Sequence, residues 1–269
     1  MWSLRYDSIC VRELKRMNAE IDRFVDIVSR SERVVGFTGA GISTESGIPD
    51  YRGKGGIWNR FQPVYFDEFV NEPDKRRLYW QRKAETWPAI RDARPNPGHE
   101  FFVDLHRGGS LLGVVTQNID GLHEKSGLPP ERVVNLHGNT LETTCLSCSY
   151  RVDSDEVFRS LDLDGDGPRC PECGGLLKPD TISFGQQLDP QTIERGEELA
   201  RSCDCMVVFG STLVVYPAAA IPEVAKRNGA ALLIVTLSET PLDGEADLSV
   251  QRPIGEFVAE VRTALAPGS

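Results

Sequence analysis

The sequence lacks an apolar run long enough to cross a membrane, and its start, MWSLRYDSICVREL, has charges where a signal peptide needs apolar residues. It also lacks a basic excess, because 40 Asp and Glu stand against 30 Lys and Arg, for a net charge of −10. Such an acidic chain is not expected to coat nucleic acid or an anionic membrane. We therefore expect a cytoplasmic protein with neither partner.

Internal repeats and low-complexity segments are missing as well, so the fold is inferred from the hydrophobic pattern of the 269 residues. Short apolar β-branched runs, such as RVVGF at 33–37 and ALLIVTL at 231–237, alternate with helical patterns. This alternation is typical of an α/β fold with a doubly wound, Rossmann-like parallel sheet covered on both faces. Residues 64–92 have a helical pattern that we expect Pro73 and Pro88 to interrupt.

The domain organisation follows from where this alternation stops. Residues 139–180 hold few long apolar runs and contain the acidic stretch DLDGDG. We expect them to form a small inserted module with its own fold. The predicted parts are a Rossmann-like domain of residues 1–60, 95–138 and 181–269, a helical insertion of residues 61–94, and the module of residues 139–180.

Cysteine occurs an odd number of times, seven, which fits metal binding in a cytosolic chain better than disulfides. Four cysteines form two C-x-x-C pairs, Cys145 with Cys148 and Cys170 with Cys173, separated by 21 residues. Two such pairs complete a tetrahedral thiolate site for Zn²⁺ with no open position. We predict one structural zinc, the alternative being four ordinary reduced cysteines. Cys10, Cys203 and Cys205 receive no function.

Polar residues follow five of the predicted strands. In a parallel sheet these positions are carboxyl ends, and ligands bind in the crevice outside them. Five polar tips at one edge therefore predict a site. The tips are the loop 38–53, Gln117 to Asp120, His137 with Gly138, Gly210 to Thr212, and Thr236 to Ser238.

The loop GAGISTESGIPDYRG, residues 39–53, indicates the ligand class. Small residues let the backbone approach a pyrophosphate, and a helix start supplies N–H donors. Thr44 stands where the G-x-G-x-x-G fingerprint requires glycine, so the ordinary dinucleotide motif is absent. A plain glycine turn is the alternative, but Asp50 and Arg52 favour nucleotide binding because arginine pairs with phosphate.

Three further residues have both a catalytic and a structural interpretation. His137 can take a proton near neutral pH, but a histidine at a strand end is also commonly a structural hydrogen-bonding residue. Asn118 and Asp120 can form an Asx turn before Gly121 instead of a binding pocket. The case for a functional role depends on all three sharing one edge of the sheet.

Together these motifs resemble the sirtuin family of NAD-dependent protein deacylases, especially the branch with one mitochondrial sirtuin and many bacterial ones. The resemblance runs from about residue 20 to the C-terminus. It is carried, in the family's order, by GAGISTESGIPDYRG, TQNIDGLHEKSG, NLHG, the two C-x-x-C pairs, KPDTISFG and FGSTLVVYPAA.

The resemblance implies a role for each matched position. His137 would be the general base, and Asn118 and Asp120 would line the nicotinamide pocket. The residues implied for NAD are Gly39, Ala40, Gly41, Ser43, Thr44, Asp50, Tyr51, Arg52, Gln117, Asn118, Ile119, Asp120, Gly210, Ser211, Thr212, Thr236, Leu237 and Ser238. An extended acyl-lysine peptide would be flanked by Ser183, Phe184, Gly185 and Val214.

The resemblance also implies a reaction. The acyl-lysine oxygen attacks the anomeric carbon of NAD, nicotinamide leaves, and His137 takes a proton through the ribose hydroxyls. The products are free lysine, nicotinamide and O-acyl-ADP-ribose. The chain departs from the family in exchanging the hydroxyls of a G-T-S motif at Ser211 and Thr212, and in having Ser183, Gln186 and Thr236 where other residues are usual.

A short pattern bears on acyl specificity. Tyr79 and Arg82 form a Y-x-x-R motif, and sirtuins that remove acidic acyl groups contact the acyl carboxylate with a Tyr and an Arg at this spacing. Positions i and i+3 share a helix face, so both side chains can point into one pocket. The alternative is an exposed arginine paired with an acid such as Glu85.

Other function classes use some of the same features. An ADP-ribosyltransferase would use the same NAD site. An NAD-dependent oxidoreductase would need the missing glycine fingerprint, and a non-catalytic zinc-ribbon module would have no use for His137.

Overall fold

The computed structural model describes residues 3–51, 53, 56 and 61–265. Of the predicted site residues, Arg52 lies outside the described residues. Within them, no helix combines the length and the apolar character that a membrane span requires.

Nine helices and nine strands are found in these described ranges. The strands are β1 (Val34–Thr38), β2 (Leu111–Thr116), β3 (Val133–Asn135), β4 (Gly138–Cys145), β5 (Arg151–Asp153), β6 (Leu177–Thr181), β7 (Cys205–Phe209), β8 (Ala231–Val235) and β9 (Leu248–Val250). The helices are α1 (Ser3–Arg30), α2 (Phe66–Asn71), α3 (Pro73–Asp92), α4 (Pro97–Arg107), α5 (Leu122–Lys125), α6 (Ser154–Arg159), α7 (Pro190–Ser202), α8 (Ala220–Arg227) and α9 (Ile254–Leu265).

A six-stranded sheet of order β3-β2-β1-β7-β8-β9 lies at the centre of the fold, and all its pairings are parallel. Alternate residues of each strand face opposite sides. Val34 packs in a cluster with α1, α4 and α9, whereas Val35 packs in a second cluster with α7 and α8. Every residue of β1 and β7 is buried, which is why these strands are continuously apolar. The predicted doubly wound α/β fold is confirmed.

The strand order changes direction between β1 and β7. The chain moves outward from β1 through β2 to β3, and later returns to pair β7 on the other side of β1. In doubly wound sheets this switch point opens a crevice at the carboxyl ends of the strands. The loops after Thr38 and Phe209 lie at that crevice.

A second, antiparallel sheet has the order β5-β4-β6. Cys145 is the last residue of β4, and the other three paired cysteines lie in the connections between these strands. This sheet packs against the helical segment through a shared cluster that includes Phe69, Tyr79 and Trp80 from the helices and Val157 from α6. The predicted boundaries of the helical insertion and the cysteine module stay a prediction. These two segments nevertheless share one small hydrophobic core.

Proline interrupts the helical segment only once. Pro73 is the first residue of α3, where its missing N–H leaves no hydrogen bond unmade. Pro88 lies inside α3, which continues to Asp92, so the expected second interruption is wrong. Trp87 and Ile90, on either side of Pro88, are both buried, and their packing holds the helix together there.

Candidate active site

Three glycines allow the two loops at the switch point to touch. Gly41 N–H donates to the carbonyl oxygen of Gly210 over 2.9 Å. A Cβ atom on Gly41 would lie 2.7 Å from Gly210 Cα, and one on Gly39 would lie 2.8 Å from Gly210 O. Gly210 itself has φ +65°, which favours glycine. The glycines are therefore required for loop packing, whatever ligand the loop binds.

The loop of residues 39–53, named the cofactor loop after its predicted ligand, begins as a short 3₁₀ turn over Ala40–Ser46. Ser43 is buried beneath this turn, while Ala40 and Gly41 are half-buried and Thr44 is exposed. Asp50 accepts from the Gly53 N–H over 2.9 Å, so it shapes the far end of the loop. The turn places small residues and the start of a short helix at the crevice, as a phosphate site requires.

A buried cluster of polar side chains joins the first two tips. Ser43 Oγ donates to Asp120 Oδ2 over 2.7 Å, and Leu122 N–H donates to Asp120 Oδ1 over 3.0 Å. Asn118 Nδ2 donates to Gly39 O over 3.2 Å and to Ser43 Oγ over 3.1 Å. Asp120 thus forms the Asx turn and also holds the cofactor loop with its second oxygen.

Burial controls the ionisation of this cluster. It raises the pKa of Asp120, and the hydrogen bonds from Leu122 and Ser43 oppose that rise. Burial also raises the pKa of Tyr51 to about 12, with a further contribution from the nearby Asp120 carboxylate. Tyr51 therefore keeps its hydroxyl proton at neutral pH.

The backbone carbonyl of Gln117, directly after β2, holds His137 in one tautomer. Its Nδ1 lies 2.9 Å from the carbonyl oxygen of Gln117. A carbonyl oxygen only accepts, so Nδ1 carries the proton and the lone pair of the neutral ring is on Nε2. Burial lowers the pKa of His137, and the bond to Gln117 partly offsets this effect. A neutral imidazole at pH 7 with a free lone pair is suited to accept a proton.

The residues after β7 and β8 complete the same edge. Gln117 Nε2 donates to Ser211 Oγ over 2.8 Å, which joins the tips of β2 and β7. Gly210 N–H donates to Val235 O over 3.0 Å, which joins the tips of β7 and β8. The remaining predicted residues of this edge differ in burial: Ile119 and Thr212 are half-buried, Thr236 is buried, and Leu237 and Ser238 are exposed.

An exposed apolar edge follows β6. Phe184 and Val214 are 42% and 50% exposed, unusual values for large apolar side chains. The Phe184 ring lies 6.0 Å from that of Tyr65, and the Phe184 carbonyl accepts from Phe66 N–H over 2.9 Å. Ser183 is half-buried and Gly185 is exposed. Exposed apolar side chains at the end of a strand suit an extended peptide.

Tyr79 and Arg82 make different contacts. Tyr79 is buried, its hydroxyl lies 3.5 Å from Thr181 Oγ1, and burial raises its pKa. Arg82 donates to the carbonyl oxygen of Gln62 and lies 5.3 Å from the centroid of the Phe61 ring. In the described part of the chain, no hydrogen bond or cation–π contact joins the two side chains.

Two lysines, the half-buried Lys83 and the buried Lys178, lie beside the Tyr79 ring, and the sequence analysis gave neither a role. Lys83 Nζ lies 5.6 Å and Lys178 Nζ 5.9 Å from the ring centroid. Burial lowers the pKa of Lys83 to about 8 and that of Lys178 to about 7, where repulsion from Lys83 contributes. The surroundings of Tyr79 are therefore basic.

The four paired cysteines meet as predicted. Their sulfur atoms lie within 4.8 Å of one another, and three of the separations are 3.5 to 3.6 Å. Zn–S bonds of about 2.3 Å in a tetrahedron place sulfurs about 3.8 Å apart, so the group fits zinc. Ser147 N–H and Gly175 N–H donate to Cys145 Sγ and Cys173 Sγ, which favours thiolates. Cys203 and Cys205 are buried in the large domain, away from this group.

Sequence reasoning missed Asn96. Its Nδ2 donates to Ile42 O over 2.7 Å and to Ser46 Oγ over 2.9 Å, so it holds the cofactor loop from behind. Its Oδ1 caps α4 by accepting from Gly98 N–H. Asparagine before Pro97 at a helix start is a recognisable N-cap signal. Only the fold shows that the amide nitrogen of the same side chain reaches the cofactor loop.

Known proteins share this architecture. A model of the Sir2 family matches residues 39–217. An NAD-dependent protein deacetylase of Bradyrhizobium diazoefficiens is 42% identical over 240 residues, which cover 89% of this chain and 94% of the relative. A solved Sir2 complex with a p53 peptide and NAD⁺ has a TM-score of 0.80 and 35% identity, covering 90% and 96% of the chains. Sir2Tm bound to a propionylated peptide has a TM-score of 0.80 and 34% identity, covering 91% and 98%.

Proposed function

Because this chain belongs to the Sir2 family, we propose that it uses NAD to remove acyl groups from protein lysine, giving nicotinamide, free lysine and O-acyl-ADP-ribose. The observation that carries the proposal is His137, whose Nε2 lone pair lies at the sheet edge that Asn118 and Asp120 share. Deacylation is favoured over ADP-ribosyl transfer, since similar proteins are named deacetylases and a deacylase.

In this proposal, the polar residues that follow the strands bind different parts of the NAD molecule. The cofactor loop and Gln117 hold the pyrophosphate and ribose, and Asn118, Ile119 and Asp120 hold the nicotinamide. Gly210, Ser211 and Thr212, followed by Thr236, Leu237 and Ser238, hold the adenosine side. NAD, when bound, supplies the leaving nicotinamide and a ribose that accepts the acyl group. The bonds from Gln117 to Ser211 and from Asn118 to Gly39 support this division, because they keep the tips in one arrangement.

His137 acts as the general base at Nε2. The Gln117 carbonyl keeps Nδ1 protonated, so the ring does not need to change tautomer before accepting a proton. Its lowered pKa keeps the base form dominant at neutral pH. Ser43 and Leu122 fix the Asp120 carboxyl group, which then orients the cofactor loop and does not itself move a proton.

The acyl-lysine peptide binds along the exposed edge of Ser183, Phe184 and Gly185, facing Val214, by adding a strand. Solved Sir2 structures with acetylated and propionylated peptides support a peptide substrate. The zinc held by the four cysteines is structural, because four thiolates leave no open position for catalysis. The cytoplasmic location and the lack of nucleic-acid and membrane partners stay proposals from the acidic composition.

We further propose that acidic acyl groups are among the substrates. Tyr79 and Arg82 have the Y-x-x-R spacing, and the amino groups of Lys83 and Lys178 lie within 6 Å of the centroid of the Tyr79 ring. A bound carboxylate would favour the charged form of both lysines. Lys178 Nζ donates to the carbonyl oxygens of Pro179 and Thr181, and the Asp180 carboxylate opposes the lowering of its pKa by burial. A basic environment of this kind favours an acyl chain that ends in a carboxylate over a neutral one.

One experiment tests the reaction class. The protein is incubated with labelled NAD and a panel of acyl-lysine peptides, and the products are identified by mass spectrometry. We expect unmodified peptide and O-acyl-ADP-ribose, and at least about a hundredfold slower reaction for His137→Ala. Label found on protein with the peptide unchanged would identify an ADP-ribosyltransferase instead. Reduced nicotinamide, detected by absorbance, would identify an oxidoreductase.

A further inference from the structure

A chain of buried polar groups lies beneath the nicotinamide side of the site. Asn118 N–H donates to Thr116 Oγ1 over 3.0 Å, and Thr38 Oγ1 donates to the same atom over 2.8 Å. His123 Nε2 lies 2.9 Å from Thr38 Oγ1. Thr38, Thr116 and His123 are 0%, 2% and 1% exposed. These groups cannot bond to bulk water, so they depend on one another.

The bonding directions determine the tautomer of His123. The single hydroxyl proton of Thr38 goes to Thr116, so Thr38 can only accept from His123. His123 therefore carries its proton on Nε2, and its Nδ1 has a lone pair. Burial lowers the pKa of His123 well below its ordinary value, so the ring is neutral.

The same reasoning determines the tautomer of His99, which is fully buried in the first turn of α4. The backbone N–H of Asn96 donates to His99 Nδ1 over 3.3 Å. His99 therefore carries its proton on Nε2. Burial lowers its pKa to about 4, so this ring is neutral as well.

The two histidines have complementary groups without partners. Nε2–H of His99 is a donor, Nδ1 of His123 is an acceptor, and neither has a hydrogen-bond partner among the described residues. The ring centroids are 5.0 Å apart with the planes tilted by 58°. An unsatisfied buried polar group is destabilising, and native proteins commonly satisfy such pairs with one internal water.

We propose that one buried water molecule bridges His99 Nε2 and His123 Nδ1, and that the two histidines are positioning residues for the cofactor loop. The water closes a chain of hydrogen bonds from Asn96 to Asn118. Asn96 holds the loop at Ile42 O and Ser46 Oγ, and Asn118 holds it at Gly39 O. The chain therefore links both anchors of the loop. This inference rests on the proposed function, in which that loop binds NAD.

Breaking the bridge is expected to loosen the loop, and the loop contacts NAD rather than the peptide. The KM for NAD should rise about threefold to tenfold, the range that losing one net hydrogen bond gives. The KM for the acyl peptide should stay within twofold of the wild type, by the same reasoning. A purely structural role would lower the melting temperature without separating the two KM values.

Two variants each remove one of the two groups that bind the water, while keeping the hydrogen bond that the other end of the side chain makes. In His99→Asn, the side-chain oxygen can still accept from Asn96 N–H, but the Nε2 donor is lost. In His123→Gln, the amide can still donate to Thr38, but the Nδ1 acceptor is lost. His106→Asn is the matched control, because His106 is on the same helix and has no contact with this chain of groups. Steady-state KM values and melting temperatures are measured for all four proteins.

The tautomers can be measured directly in the wild type. Long-range proton–nitrogen spectra of ¹⁵N-histidine-labelled protein distinguish Nδ1–H from Nε2–H, and the variants assign each signal. We expect Nε2–H for His99 and His123, and Nδ1–H for His137. Nδ1–H on His123, or equal KM values for NAD in both variants and the wild type, would overturn the proposal. If the protein lacks deacylase activity, the tautomers still test the bridge, so the two failures are distinguishable.

Discussion

Acid should destabilise this protein through its buried histidines. His99 has an ordinary pKa of 6.5 in the unfolded chain and about 4 in the folded one. A depressed histidine pKa contributes stability above pH 6.5 that is lost as the pH falls toward 4. At pH 5 the unfolded state has bound a proton and the folded state has not. The unfolded-state pKa of 6.5 lies about 1.5 units above pH 5, and this difference corresponds to about 2 kcal/mol of stability lost from His99 alone. His123 changes stability in the same direction.

His99→Asn isolates this contribution, because asparagine does not titrate. Urea unfolding at pH 7 and pH 5 gives the free energy of unfolding of each protein at each pH. The wild type should lose about 2 kcal/mol more than His99→Asn between these two values. Acid also protonates zinc thiolates, but both proteins have the same cysteines, so the difference between them excludes that effect.

His106→Asn is the control for replacing a histidine on α4, and its pH dependence should follow that of the wild type. The comparison uses the change with pH, so a lower stability of His99→Asn at pH 7 does not affect it. Equal losses in the wild type and His99→Asn would refute the reasoning, since they would mean that His99 is solvated or already charged in the folded protein.

Three other predictions concern the site. His137→Ala should lower kcat by at least about a hundredfold with little change in either KM, and the acid limb of the wild-type pH profile should lie below pH 6.5 because burial lowers the His137 pKa. Arg82→Met should lower kcat/KM for a succinyl peptide more than for an acetyl peptide, measured by competition in one mixture. Cys173→Ser should lose zinc, measured by atomic absorption, and lower the melting temperature, as removing a ligand from a closed thiolate site does.

Each of these has a contrary result. An acid limb above pH 6.5 would mean that another group controls the base step. Equal losses on the two acyl peptides, or none, would remove the case for Arg82, and Arg77→Met is the control because Arg77 is bound to the loop at Asp164 and Gly165. A zinc content of one per chain in Cys173→Ser would remove that cysteine from the metal site.

Much of the fold could be predicted from local patterns. Strands buried on both faces must be continuously apolar, so runs such as those at β1 and β8 are recognisable without any neighbour. Two C-x-x-C pairs predict a thiolate cluster, because each pair can bind a metal within one turn. Pro88 shows the limit of this approach, since the packing around Trp87 and Ile90 overrides the local tendency to end the helix.

The sequence predicted which polar residues follow the strands at the candidate site, but not which of them contact one another. Their positions after predicted parallel strands placed His137, Asn118 and Asp120 at one edge, and the structure brings them there. The residues that support them were missed. The contacts of Thr38, Asn96 and His123 could not be predicted, because their partners are far along the chain.

The sequence alone determined the α/β class, the four-cysteine cluster, the sheet edge where the polar residues gather and the resemblance to the family. These depend on hydrophobic period, short spacings and motif order, which are local properties. Only the tertiary structure decided that Gly41 must be glycine to meet Gly210, that His137 carries its lone pair on Nε2, and that Lys83 and Lys178 surround Tyr79. The reason is physical: close approach, tautomer and local charge depend on atoms from distant segments, and folding alone brings those together.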